Sequence, residues 1–211
     1  MPSVLLYDWD NTLVDAWEGI TAALNTTFSA FDMPPWTEEE ARRRVRLALS
    51  TSFQAMFGAD WPRARDVFVS AMRDGHLSHL RPMPGAAAAL AAGHRWLQGV
   101  VSNKDGLFLR AEIAHLGWQS RFRAVVGAGD AAAGKPDPAP IRLALVQLGI
   151  AATPAVWYIG DTGDDMLAAR AAGITAVLIG DAGHDGGIDR ALPDMHFATA
   201  GELAAHLHTL A

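Results

Sequence analysis

The chain has 211 residues, half of them hydrophobic, and a net charge of −6. That length suits one large domain or a domain carrying a smaller insert, and the acidic balance argues against non-specific nucleic-acid binding. With no cysteine present, disulfides and thiolate metal sites are excluded. No apolar run approaches the ~18 residues of a membrane span, and Asp8 arrives too early for a signal peptide. The expectation is a soluble cytoplasmic protein, monomeric or homodimeric, that engages neither nucleic acid nor membrane.

The first predicted strand, Val4–Tyr7, runs straight into Asp8-Trp9-Asp10-Asn11-Thr12-Leu13. Strand side chains repeat every second residue, so Asp8 and Asp10 address one pocket if the extended geometry persists. Nearby carboxylates repel, and a fold keeps them with a cation, a shared proton or divided roles. Divided roles, Asp8 as nucleophile and Asp10 as proton carrier, fit this pair; an ordinary Asp-rich turn is the competing reading.

From about Asp15 to Leu80 the pattern turns helical. Trp17, Ile20, Leu24, Thr27/Phe28 and Phe31 mark one helix face, which Pro34-Pro35 ends. Thr37 followed by Glu38-Glu39-Glu40 reads as an N-cap with an acidic first turn. A further helix runs from Pro62 to about Leu80. Such a block is too long for a simple crossover, so residues 15–82 are expected to form an inserted helical domain, with 1–14 and 83–211 as the core. Arg81-Pro82-Met83-Pro84-Gly85 would be the return hinge.

Beyond the hinge, strands at Gly99–Ser102, Ala124–Gly127, Ala155–Gly160 and Thr175–Gly180 alternate with helices at Pro84–Leu97, Asp105–Leu116, Pro138–Leu148 and Asp164–Ala172. Alternation of this kind implies a three-layer, Rossmann-like α/β core with a parallel sheet. Three motifs fall at or after its strand ends. Val100-Val101-Ser102-Asn103-Lys104 offers a hydroxyl and an amide where open α/β sheets bind ligands, or a helix cap. In Gly134-Lys135-Pro136-Asp137-Pro138 the lysine is held by a rigid turn and its point charge suits a phosphate oxygen; a solvated lysine is the alternative. Ile159-Gly160-Asp161-Thr162-Gly163-Asp164-Asp165-Met166 clusters acids at the end of a buried strand. An oxygen-only site of that kind favours Mg2+, although a capping box also explains Asp164 or Asp165.

Taken in order, Asp-x-Asp-x-Thr, Ser-Asn, Lys-Pro and Gly-Asp-x-x-x-Asp resemble the motifs of the haloacid dehalogenase superfamily phosphatases. The pattern spans nearly the whole chain. The helical block resembles the family's cap between the first and second motifs, and Val-Ser-Asn-Lys, Gly-Lys-Pro-Asp-Pro and Gly-Asp-Thr-Gly-Asp-Asp-Met-Leu-Ala-Ala resemble the phosphoglycolate phosphatase branch. This resemblance implies a Mg2+-dependent phosphatase acting on a small phosphorylated metabolite. Asp8 would form an aspartyl-phosphate and Asp10 would serve as acid, then base. Mg2+ would be held by Asp8, the Asp10 carbonyl, Asp161 and Asp165, directly or through water. Thr12, Ser102, Asn103 and Lys135 would receive the phosphoryl oxygens.

Three departures stand out. Asn11 replaces a common glycine, Trp9 is larger than the usual residue between the aspartates, and Arg46 lies where relatives often carry a glycine. The branch-like motifs make phosphoglycolate the first-choice substrate, and Arg43 or Arg46 reaching a substrate carboxylate would suit it; a solvated basic helix face competes. A phosphomutase or a phospho-accepting signalling domain are the alternative functions, while Asp10 argues against a dehalogenase. Trp36 and Trp61 are expected in the cap core or a dimer contact.

Overall fold

The computed structural model describes residues 1–45, 49–75 and 77–210. In chain order its elements are β1 (Val4–Tyr7), β2 (Val14–Asp15), α1 (Trp17–Ser29), α2 (Glu38–Arg44), α3 (Leu49–Phe57), α4 (Trp61–Gly75) and β3 (Arg81–Pro82). There follow α5 (Ala86–Ala92), β4 (Leu97–Asp105), α6 (Gly106–His115), β5 (Ala124–Ala128), α7 (Ala139–Leu148), β6 (Val156–Gly160) and α8 (Gly163–Ala172). The chain closes with β7 (Thr175–Ile179), α9 (Ile188–Ala191), β8 (Met195–Phe197) and α10 (Ala200–Thr209). It divides into two compact units, Met1–Val14 with Pro82–Ala211, and Asp15–Arg81.

The first unit is built on a six-stranded sheet ordered β5-β4-β1-β6-β7-β8, every pairing parallel. This is the Rossmann-like α/β arrangement. Strands β1 and β6 at its centre are buried along their whole length because helices cover both faces. Val4 and Leu6 of β1 join Val126, Val156, Tyr158 and Leu178 in one core cluster, closed by Ile141 and Leu145 of α7 and by Met166, Ala168 and Ala169 of α8. The chain goes from β1 to β4 and outward to β5, then returns to β6 on the other side of β1. Ligands in open α/β sheets bind beyond the carboxyl ends of strands at such a reversal. Register carries the point further: Tyr7 lies opposite Val100 of β4 and Ile159 of β6, so Asp8 and Asp161 leave β1 and β6 near the level of Ser102, within the longer β4.

The second unit is helical. Leu24 and Phe28 of α1, Ala41 of α2, Phe53 of α3 and Ala64 of α4 form its buried centre, with Trp36 and Trp61 packed against it. Those two tryptophans therefore serve the core of this unit. Thr37 caps α2 as expected: its side chain accepts from the Glu40 N–H while Glu40 accepts from the Thr37 N–H, a complete capping box. The basic run behind it is an exposed, paired surface. Arg42 binds Glu38 and Asp15 and lies over the Trp17 ring, and Arg44 binds Glu40 and lies over Trp36.

Several boundaries differ from the sequence reading. The alanine-rich helix stops at Ala92, because a short 3-10 turn, Gly93–Arg95, redirects the chain into a strand that already begins at Leu97. The helix expected to reach Leu80 ends at Gly75. Helix α3 and the terminal group α9, β8 and α10 lie outside the expected elements altogether. Among the described residues, no helix is long and apolar enough to cross a membrane.

Candidate active site

Asp8 follows the last residue of β1 and stays in sheet geometry, its N–H donating to the Ile159 carbonyl at 2.8 Å. Its carboxylate is buried, and burial pushes its pKa up to about 7, with the Lys135 charge acting in the opposite direction. The chain then turns sharply. The Asn11 N–H donates to the Val14 carbonyl at 2.6 Å, and Thr12, Leu13 and Val14 all donate to the Trp9 carbonyl. Asn11 takes a left-handed conformation, φ +60°, which asparagine tolerates better than most residues. That is why it can stand where glycine is common. The turn brings the buried Thr12 hydroxyl within 3.1 Å of Asp161 Oδ1, to which it donates.

Lys135 is the hub of the site. Its buried ammonium donates to Asp8 Oδ1 at 2.5 Å, Asp165 Oδ1 at 2.6 Å and the Tyr158 hydroxyl at 2.9 Å. Burial alone would lower its pKa, but Asp165 and Asp8 outweigh that and hold it well above the usual lysine range. The loop bearing Lys135 includes a cis peptide before Pro136. It is tied down by Asn103, whose amide donates to the Lys135 carbonyl at 2.9 Å and accepts from the Lys135 N–H at 2.8 Å. Both polar atoms of Asn103 thus address the Lys135 backbone. Neither Ser102 nor Asn103 caps α6: β4 continues to Asp105, and Asp105 accepts from the Leu107 N–H. The Ser102 hydroxyl, also buried, accepts from the Lys104 N–H.

The acidic motif has two jobs. Asp165 Oδ1 faces Lys135, while its Oδ2 accepts from the Asp161 N–H, the Thr162 N–H and the Thr162 hydroxyl. It forms the capping box of α8 with Thr162 and so joins helix start to lysine. The fit requires glycine at 160, where a Cβ would lie 2.5 Å from the Asp165 carboxyl. Asp161 is pushed well above the ordinary carboxylate range, by burial first and then by Asp165 and Asp8. Asp164 is raised more modestly, by burial and by the neighbouring Asp185. Asp185 itself accepts from the Gly163 N–H at 2.7 Å.

Carboxylate oxygens of Asp8, Asp161 and Asp165 come within 4.8 Å of one another. This donor set is all oxygen and anionic, which suits a hard divalent cation such as Mg2+. Burial first, and then repulsion from the neighbouring acids, raises Asp8 and Asp161, and such a charge would relieve the repulsion.

Asp10 was expected beside Asp8; its environment was not. Lys104 Nζ lies 2.7 Å from Asp10 Oδ1 and also donates to Glu112 at 2.8 and 2.7 Å. Glu112, almost wholly buried, accepts from the Trp9 indole N–H at 2.6 Å. Burial would lower the Lys104 pKa, yet Asp10 and Glu112 hold it above the usual value. Sequence reasoning passed over Lys104, Glu112 and Tyr158. Glu112 in an apolar stretch of helix was the available signal, since an unpaired acid is costly there. Arg43 lies in the last turn of α2. Arg46, the other candidate for substrate binding, lies outside the described residues.

Acids and an ammonium gathered beyond the ends of β1, β4 and β6 are what a Rossmann-like α/β enzyme presents to a substrate. The chain belongs to the haloacid dehalogenase-like hydrolase family, whose family model matches residues 5–179. It is 33% identical over 193 residues to a phosphoglycolate phosphatase of Rhodospirillum rubrum, covering 85% of this chain and 80% of that protein. A phosphoglycolate phosphatase of Xanthomonas campestris is 30% identical over 188 residues, covering 83% and 82%. In fold it is similar to a haloacid dehalogenase-like hydrolase from Streptococcus pneumoniae, with a TM-score of 0.84 at 23% identity over 97% of this chain and 98% of that one.

Proposed function

We propose that the protein is a Mg2+-dependent phosphatase that hydrolyses a small phosphate monoester through an aspartyl-phosphate, with phosphoglycolate as the first-choice substrate. The observation that carries this reading is Asp8, a buried carboxylate at a strand end with Lys135 against one oxygen and Asp161 and Asp165 alongside. The likeness to two phosphoglycolate phosphatases supports the substrate.

In this mechanism an Asp8 oxygen forms a bond to phosphorus while the ester oxygen departs on the opposite side. Asp10 delivers its proton to that departing oxygen. A water molecule then loses a proton to Asp10 and attacks phosphorus, releasing inorganic phosphate and restoring both aspartates. Lys135 and the hydroxyls of Thr12 and Ser102 receive the phosphoryl oxygens, and Asn103 acts chiefly by fixing the Lys135 loop. Asp8, the Asp10 carbonyl and Asp161 would hold Mg2+, with Asp165 assisting directly or through water. Bound there, the ion neutralises charge on the phosphoryl group and on the acids.

Residues 15–82 serve as a cap in this reading, closing over the small substrate and excluding water. Arg43 and Arg46 are its candidate cations for a substrate carboxylate. Phosphate release from a panel of small phosphomonoesters tests the proposal: turnover needs Mg2+, and phosphoglycolate gives the highest kcat/KM. In Arg43→Ala and Arg46→Ala the KM for phosphoglycolate rises while that for a substrate without a carboxylate does not. Inertness toward every ester would overturn the reading, and a phosphorylated Asp8 that lasts for minutes would favour the signalling alternative.

A further inference from the structure

Trp9 is the residue that the proposed chemistry leaves unused, although it stands between the two aspartates. It is fully buried, edge-on to Trp118 at 5.9 Å and to Phe122 at 6.5 Å. Packing alone does not account for its polar atom. The indole N–H is aimed at Glu112 Oε2, 2.6 Å away, and both oxygens of Glu112 accept from Lys104. Lys104 in turn lies 2.7 Å from Asp10 Oδ1. A carboxylate buried this deeply is retained only with partners, and here its partners lead, one after the other, to the reactive turn.

We propose that Trp9, Glu112 and Lys104 form a positioning chain that fixes the Asp10 carboxyl for proton exchange with the leaving oxygen. This rests on the phosphatase reading above. Asp10 sits on a tight turn and keeps 29% of its side chain exposed, so its own packing leaves its carboxyl under-determined. Lys104 is a single point charge with three donors on a flexible stem. Two of its contacts go to Glu112, which spends the freedom of the ammonium on one side and presents it to Asp10 on the other. The Trp9 indole, itself held edge-on to Trp118, stops Glu112 from turning away through its hydrogen bond. The aromatic residue between the aspartates is thus an anchor for the acid of α6 and acts on Asp10 through it.

Leaving-group dependence separates positioning from a general structural role. Phosphoglycolate expels an alkoxide that needs a proton from Asp10, whereas acetyl phosphate, of similar size, expels acetate, which does not. Values of kcat/KM report the step in which Asp8 is phosphorylated. In Trp9→Phe and Glu112→Gln, kcat/KM for phosphoglycolate falls about tenfold, the effect of one charge-assisted hydrogen bond. In Lys104→Met the fall is about a hundredfold, within the range general acid catalysis supplies. For acetyl phosphate all three variants stay within about threefold of wild type, a smaller change than one such bond gives. Parallel loss on both substrates, or no loss on either, overturns the positioning chain while leaving the phosphatase reading intact. Wild-type protein inert toward both substrates overturns that reading and the chain with it. A second readout needs no activity: in the metal-free protein the Trp9 indole N–H resonance shifts in Glu112→Gln and exchanges faster with solvent. An unmoved resonance overturns the contact on which the proposal is built.

Discussion

At the scale of single residues, the centre is governed by charge compensation in a dry setting. Lys135 sits between Asp8 and Asp165, and removing one member of a buried pair leaves its partners uncompensated, at a cost of about 3–5 kcal/mol. Lys135→Met is therefore expected to lose stability of that order in urea denaturation and to lose on the order of a hundredfold or more in kcat/KM. Wild-type values for either quantity would show that the ammonium is a bystander. The motif residues were legible because they fall on or between the strands of a regular α/β alternation, and because unlike motifs follow one another in a fixed order. Lys104 and Glu112 were not legible as partners of Asp10 and Trp9. Their pairing depends on α6 docking beside β4 and β5, which no local pattern encodes. For Asn103 the motif resemblance implies a phosphate ligand; its second task, holding the Lys135 backbone through both amide atoms, is not encoded by any local pattern.

At the scale of elements, the join between β6 and α8 sets the site. Gly160 lets the Asp165 carboxyl approach the strand end, and Thr162 locks it there as the helix cap. Gly160→Ala would place a methyl group 2.5 Å from that carboxyl, so Asp165 must move and release Lys135. The expected outcome is a lower melting temperature together with reduced kcat; a variant indistinguishable from wild type would contradict the close packing. In the helical unit, Thr37→Ala should cost about 1 kcal/mol through the lost cap, read as a lower denaturation midpoint. The elements that escaped sequence reasoning have physical reasons of their own. Strand β8 is three residues long and only partly buried, too short for a period to show. Helix α3 did carry a signal, Leu49, Phe53, Met56 and Phe57 at helical spacing, which the lack of a clear start signal obscured. The alanine-rich helix was drawn too long because nothing in its composition marks the 3-10 turn that follows.

For the molecule as a whole, the acidic centre makes folding stability depend on pH. Burial raises Asp8 to about 7 and raises Asp161 well above the carboxylate range. At these two acids the folded protein therefore binds more protons than the unfolded chain above about pH 4. Stability held by these protonated acids is fully present below the unfolded value and is lost as pH rises, the Asp8 share through about pH 7. In metal-free protein, the melting temperature should fall over that interval, and Asp8→Asn should flatten the fall. A profile identical in the variant would contradict the assigned shift. The central claim, however, is covalent: Asp8 takes the phosphoryl group. The most direct measurement is mass spectrometry of the Asp8 peptide after acid quench of a reaction with acetyl phosphate and Mg2+. The expected result is a phosphoryl adduct on Asp8 that accumulates in Asp10→Asn, where water attack is slowed, and is absent from Asp8→Asn. Turnover without any adduct in Asp10→Asn, or an adduct that survives Asp8→Asn, would contradict the account.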